Sequence, residues 1–293
     1  MFEYLVLSGA GPYGLGQLGI IKTMIDSQKL DLKKIKKMYG TSAGACICSL
    51  LSLDIDINQI IEYFIHRPWN KVVKLDMENV FCLLNDKKGL IDHELLKHVL
   101  FPLFNANDIP IDITLKEVYD KTKIELHLMT SELSSFTTVT LNHLTFPELK
   151  LVDACCMSAS IPPIFTPVQY KDKYYIDGGL LNTYPLDNLI SSIPSTEHDK
   201  ILSVRVLQKE NDVSFKEMTS IAYVQYILNK SFEVLGHYNV KFQLKHEVIC
   251  WTEHSSTGFE VWKLFMGTVE NRQSIYQEGV TSCKLFLDDR LLN

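Results

Sequence analysis

No apolar run in this 293-residue chain approaches the ~18 residues that a bilayer-crossing helix needs, so no membrane span is expected. The seven cysteines (46, 48, 82, 155, 156, 250 and 283) form no CxxC, no disulfide framework and, with the histidines scattered, no zinc template; reduced, buried thiols are expected. Basic residues are not in excess: 29 Lys and Arg against 35 Asp and Glu leave a net charge of −6, which argues against nucleic-acid phosphates as partners. No acidic cluster has the spacing of a calcium loop, so no metal and no other cofactor is expected. Repeats, long linkers and low-complexity segments are also missing, and one domain over residues 1–293 is the simplest account. The first residues, with Glu3 and few apolar residues before Ser8, do not have the make-up of a secretory leader, so a cytoplasmic protein is the expectation.

What the chain does contain is ordinary for a globular domain, with 46% apolar and 22% charged residues. Residues 3–8 (EYLVLS) read as a strand feeding a glycine-rich turn, followed by a helix through Leu18, Ile21 and Ile25 that ends near Lys29. A second brief apolar element, Met38 and Tyr39, leads into Gly40–Gly44 and then an apolar run to Leu51, which reads as a helix buried all round. Strand, turn, helix, repeated, opens an α/β domain with a parallel sheet. Further along, residues 57–104 read as mainly helical, broken at Pro68 and Pro102. Residues 124–129, 136–141, 174–176, 201–207 and 247–251 read as strands, and 154–160, 215–238 and 260–278 as helices.

Three short motifs carry chemistry. Gly9-Ala10-Gly11-Pro12-Tyr13-Gly14 is a GxGxxG between strand and helix. A dinucleotide site would also need an acidic residue at the end of the second strand, where this chain has Gly40-Thr41-Ser42, and Pro12 removes one backbone donor. The same geometry can instead aim backbone N–H groups at a developing oxyanion. Next, Gly40-Thr41-Ser42-Ala43-Gly44 is a GxSxG with an apolar strand before it and an apolar helix after it, the setting of a nucleophile elbow; an N-capping serine is the plainer alternative. The third is Asp177-Gly178-Gly179 after Lys173–Ile176. By itself it could be a turn, but a serine nucleophile needs a neighbouring base, and a strand-end carboxylate is a candidate.

Taken in order, these motifs resemble the patatin-like phospholipases, over roughly residues 3–190. Ser158-Ala159-Ser160-Ile161-Pro162-Pro163-Ile164-Phe165, with Pro167, is similar to that family's segment ahead of the aspartate. Asp177-Gly178-Gly179-Leu180-Leu181-Asn182, with Pro185, is similar to its closing motif. The resemblance implies a three-layer α/β domain with a central, mostly parallel sheet and helices on both faces. It implies a lipid acyl hydrolase with a Ser-Asp dyad: Ser42 as nucleophile, Asp177 as general base, Gly9, Ala10 and Gly11 as the oxyanion hole. Gly14, Gly40, Gly44, Gly178 and Gly179 would support these motifs. The implied substrate is a membrane glycerophospholipid or another acyl lipid, reached by transient contact with a membrane surface. Two positions depart from the family pattern. Ala10 stands where a glycine is common, which a left-handed backbone would tolerate poorly, and Tyr13 where many members carry Lys or Arg.

Burial is expected to raise the Asp177 pKa. Other readings stay open at this stage: an acyltransferase, a neutral-lipid or general esterase on the same dyad, a dinucleotide-binding module using Gly9–Gly14, and a catalytically silent scaffold. His198, His237 or His246 could in principle complete a Ser-Asp-His order. Lys33, Lys34, Lys36 and Lys37 read as a solvated face, with anionic head groups as the functional alternative; Val261, Trp262, Leu264, Phe265 and Val269 read as the core side of a helix.

Overall fold

Alternate residues of the first strand, β1 (Tyr4–Leu7), enter two different apolar clusters: Leu5 and Leu7 join the larger one, Tyr4 and Val6 a smaller one. Side chains alternate across a strand, so a strand apolar at every position must be covered on both faces. The computed structural model describes residues 1–73, 88–89, 91–209, 220–237, 242, 244–253 and 259–291. Among them eight strands form one sheet: β1, β2 (Lys37–Thr41), β3 (Glu125–Glu132), β4 (Thr137–Leu141), β5 (Val168–Tyr170), β6 (Lys173–Asp177), β7 (Ile201–Gln208) and β8 (Glu247–Thr252). The order is β5-β6-β3-β2-β1-β7-β8, with β4 also on β3. β3, β2, β1, β7 and β8 run parallel; β4 and β6 are antiparallel to β3, and β5 to β6.

On the larger-cluster face lie α1 (Gly14–Asp26), α2 (Ala43–Ser52) and the long α12 (Val269–Leu291), with α1 and α12 in extensive contact. Around them are α3 (Ile57–His66), α4 (Trp69–Val72), α5 (Glu94–Ala106), α6 (Leu115–Thr122), α7 (Leu151–Ala159) and α11 (Phe259–Met266). The smaller cluster is closed by Tyr184 and by Leu186, Leu189 and Ile190 of α9 (Leu186–Ile190). The remaining helices are the short α8 (Gly179–Asn182) and α10 (Ser220–His237), which pack on each other.

The three-layer arrangement is the one expected, and two local readings are corrected. Pro102 does not end a helix; it lies inside α5. A proline leaves the carbonyl four residues back without its N–H partner, and here the His98 carbonyl accepts from Arg67 Nη2 (3.4 Å). Next, 260–278 is not one helix but α11 and α12, parted at Gly267. The Arg272 guanidinium, buried, ties that corner by donating to the carbonyls of Phe265 (2.8 Å), Gly267 (3.1 Å) and Ile65 (2.6 Å). Lys33, Lys34 and Lys36 are exposed, as a solvated face should be, and lie just before β2 at the far end of the sheet from Ser42; Lys36 pairs with Glu3, and Lys37, the first residue of β2, with Glu125 (3.2 Å). Residues 74–87, 90, 215–219 and 238 of the segments read as helical, and Cys82, lie outside the described residues. The other six cysteines are free thiols.

Candidate active site

Ser42 follows directly on β2 and precedes α2, with φ 56° and ψ −123°. That backbone region is sparsely populated for any residue with a Cβ and costs on the order of 1–3 kcal/mol. The turn is possible only because its flanks are bare. A Cβ on Gly40 would stand 2.7 Å from the amide nitrogen of Ala45, and one on Gly44 2.6 Å from the carbonyls of Leu7 and Ser8. Ser42 is therefore not an N-cap: its side chain makes no bond to α2, and its Oγ instead donates to Asp177 Oδ2 at 2.6 Å.

The register of β3 explains why a residue 135 positions away is there. Thr41, the last residue of β2, faces Met129, and Asp177, the last residue of β6, faces Thr130. β4 already pairs with Leu128–Glu132, overlapping β2 at Leu128 and Met129, so β4 and β2 occupy opposite edges of β3. β6 overlaps β4 at Thr130–Glu132 and so must share the edge of β2. β2 runs with β3 and β6 against it, which makes their C-terminal ends meet at Met129 and Thr130.

Side chains lock this meeting point. Ser158 Oγ accepts the Ser42 N–H (2.9 Å) and donates to the Met129 carbonyl (2.5 Å), while Ser131 Oγ donates to the Asp177 carbonyl (3.1 Å). Thr130 Oγ1 lies within bonding distance of the carbonyls of Met157 (2.7 Å) and Ile176 (2.9 Å). Asp177 Oδ1 accepts the Gly179 N–H at 2.7 Å, so each carboxylate oxygen has one donor. Burial pushes the Asp177 pKa up to about 6, opposed by the hydrogen bonds from Ser42 and Gly179.

Beside Ser42, Gly9 donates its N–H to the Thr183 carbonyl (2.7 Å). Ala10 has φ −146°, while the left-handed residue of the turn is Gly11 with φ 48°. The steric objection to alanine at position 10 is thereby removed, because the conformation that needs glycine falls one residue later. Among the described residues no acceptor takes the N–H of Ala10 or Gly11. Ser8 and Gln17 brace this turn: Gln17 Nε2 donates to the Ser8 carbonyl (2.8 Å), and Ser8 Oγ accepts the Val206 N–H (3.0 Å). Gly14 starts α1, and Gly178 sits between Asp177 and α8 with its N–H on the Ser158 carbonyl (3.2 Å).

Ser42, Asp177 and the Gly9–Gly11 turn open on one cavity of about 740 Å³, within the range of about 300–1,000 Å³ usual for ligand sites. One wall is apolar and comes from α2 (Cys46, Ile47, Leu50), α5 (Leu96, Val99) and the Phe64–Trp69 pair, whose rings stack 5.7 Å apart. Trp262 and Phe265 of α11 close it, so the face read as core-directed is in part cavity wall. The other side, from the C-terminal end of β7 and from α10, carries Arg205, Lys209, Lys230 and Glu233. No described histidine lines the cavity. His198 and His246 precede β7 and β8 at the opposite end of the sheet, and His237 ends α10. Among the described residues no cluster of three or more His, Cys, Asp or Glu could hold a metal ion, and no helix is long and apolar enough to cross a membrane.

Sequence reading missed Ser158, Ser8, Gln17 and Thr183 as supports of the site. Ser158 stood in a noted segment, but small polar side chains that bond backbone groups far away in sequence leave no local pattern.

A model of the patatin-like phospholipase family matches residues 5–190. Among curated proteins, the chain is 27% identical over 187 residues to the probable lipid hydrolase 463L of Invertebrate iridescent virus 6 (64% of this chain, 62% of that protein). It is 28% identical over 211 residues to triacylglycerol lipase 4 of Saccharomyces cerevisiae (63% of this chain, 22% of that protein). Both matches span less than two thirds of the relative's length. The crystal structure of VipD from Legionella pneumophila aligns with 98% of this chain and 67% of its own at a TM-score of 0.59 and 17% identity, a likeness of fold. With a matched model running from β1 through α9, the chain belongs to the patatin-like phospholipase family.

Proposed function

We propose that the protein is a serine acyl hydrolase that cleaves acyl esters of membrane glycerophospholipids through an acyl-Ser42 intermediate. One observation carries the reading: a strained serine donates at 2.6 Å to a buried carboxylate of raised pKa, at the edge of an apolar cavity. Asp177 takes the Ser42 proton as Oγ attacks the ester carbonyl, and the tetrahedral oxyanion is held by backbone N–H groups. Since the Gly9 amide is committed to Thr183, the donors are those of Ala10 and Gly11, aided by the N-terminal end of α2. Collapse of the intermediate expels the alcohol, which leaves with the proton from Asp177. Water, deprotonated by Asp177, then attacks the acyl-serine and releases the fatty acid and free Ser42. A carboxylate with pKa near 6 is ionised at neutral pH yet more basic than an ordinary one, which suits a base that works without histidine.

The test is fatty-acid release from mixed phospholipid vesicles in EDTA by wild type, Ser42→Ala and Asp177→Asn. Release by wild type alone supports the dyad and a calcium-independent reaction; activity surviving Ser42→Ala overturns it. The yeast relatives named triacylglycerol lipases support a second reading, hydrolysis of neutral glycerides on the same dyad, which triolein emulsions in the same assay would reveal.

A further inference from the structure

The helix α10 exposes an unusual amount of apolar surface. Tyr223, Val224, Ile227, Leu228, Val234 and Leu235 are each between 38% and 57% exposed. At 3.6 residues per turn these six fall within an arc of about 140°, with exposed Ser231 in its middle. Contiguous exposed apolar surface of this kind marks a surface meant to be covered.

Three observations identify the cover. First, the stripe is continuous with the catalytic cavity: Val234, with Lys230 and Glu233 on the same helix, lines its wall. On β8, Trp251 is also half exposed and pairs with Leu207, another lining residue. Second, cations stand where stripe and cavity join. Lys230, paired with Glu233 at 2.6 Å, and Lys209, paired with Glu253 at 3.6 Å, both keep about half of their side chains in solvent. Apolar and aromatic residues on one face, with lysines at its border, are the make-up of a helix that lies in a lipid–water interface. Third, the stripe is too small for a stable self-association. A face about 27 Å long and about 10 Å wide offers about 270 Å² per copy, against roughly 800 Å² per partner in a stable interface.

We propose that α10 docks on a lipid surface, inserting Tyr223, Val224, Ile227 and Leu228, so that the catalytic cavity opens toward the acyl layer. This rests on the acyl-hydrolase reading for its purpose, though not for its measurement. The test measures co-sedimentation with vesicles of phosphatidylcholine and phosphatidylserine, using protein carrying Ser42→Ala so that no turnover occurs. In that background Val224→Glu with Ile227→Glu should weaken binding roughly tenfold or more, because two apolar side chains no longer enter lipid. Ile227→Trp should strengthen it. With Ser42 intact, the Glu pair should hydrolyse a soluble short-chain p-nitrophenyl ester within about twofold of wild type while losing vesicle hydrolysis, a split that misfolding would not produce. If the Glu pair does not stay folded, Val224→Ser with Ile227→Ser replaces it. Equal vesicle binding by variant and parent overturns the proposal, as does failure of both to bind, or a solution dimer that the Glu pair breaks. Absence of soluble-ester hydrolysis in wild type would instead remove the hydrolase reading, leaving vesicle binding to be judged by itself.

Discussion

Thr41 and Asp177 end two strands that meet head to head on one edge of β3, facing the consecutive residues Met129 and Thr130. Ser42, one residue past Thr41, thereby has its Oγ 2.6 Å from the Asp177 carboxylate. The separation of the Ser42 hydroxyl and the Asp177 carboxylate is set by backbone ladders on a single strand.

The pH dependence follows from Asp177. Its pKa is about 6, and as the proposed base it must be ionised to accept a proton, so kcat/KM should fall about tenfold per pH unit below 6 and level off above it. Stability runs the other way. The folded pKa is raised above the ordinary 3.8, so between those values the folded protein holds a proton that the unfolded chain has lost. Stability therefore falls as pH rises from about 4 to 6, by on the order of 3 kcal/mol. Asp177→Asn, which stays neutral, should be more stable than wild type at pH 7–8, lose that advantage near pH 4, and be about 10²–10⁴-fold less active. Thermal melts across pH on both proteins check this; an identical pH dependence of stability would contradict it.

Backbone strain at Ser42 should separate two variants that the proposed mechanism makes inactive. Ser42→Ala and Ser42→Gly both remove the hydroxyl and its bond to Asp177, but only glycine relaxes at φ 56°, ψ −123°. Strain relief of about 1–3 kcal/mol, less up to about 1 kcal/mol of added chain entropy in the unfolded state, leaves Ser42→Gly about 1 kcal/mol more stable. Denaturant midpoints of the two proteins measure the difference.

Ser158 joins the Ser42 N–H to the Met129 carbonyl, and its expected part is to position Ser42. Ser158→Ala leaves the Ser42 N–H and the Met129 carbonyl without their shared partner in a fully buried place, which costs about 1–3 kcal/mol. Because the elbow then loses its anchor, kcat should fall with KM little changed. A KM effect with kcat preserved would assign Ser158 to substrate binding instead.

Val99, half-buried on α5, belongs to the apolar lining of the cavity. Val99→Trp should shorten the space for an acyl chain, lowering kcat/KM for long-chain esters at least tenfold relative to short-chain ones. Each methylene that no longer fits forfeits about 0.8 kcal/mol. Rates on a p-nitrophenyl ester series from butyrate to palmitate report the ratio; parallel losses at every length would place the acyl chain elsewhere.

The amino-acid sequence by itself determined the local pieces. Gly40 and Gly44 around Ser42 can be read as an elbow because steric exclusion there acts between near neighbours, and the apolar run at 4–7 can be read as a strand because burial on both faces leaves no charged position. Where sequence reading failed, a distant group had answered a local signal: Pro102 lies inside α5, and the carbonyl it leaves free, that of His98, accepts from Arg67. Only the tertiary structure decided which residues meet. That Asp177 reaches Ser42 depends on three strands sharing β3. That Gly9 is spent on Thr183 depends on a loop closing from 174 residues away. That α10 turns six apolar side chains outward cannot be told from periodicity, which marks an apolar face without saying whether protein or lipid covers it. Sterics within a turn are written in adjacent residues. Register and exposure are settled only when the whole chain has packed.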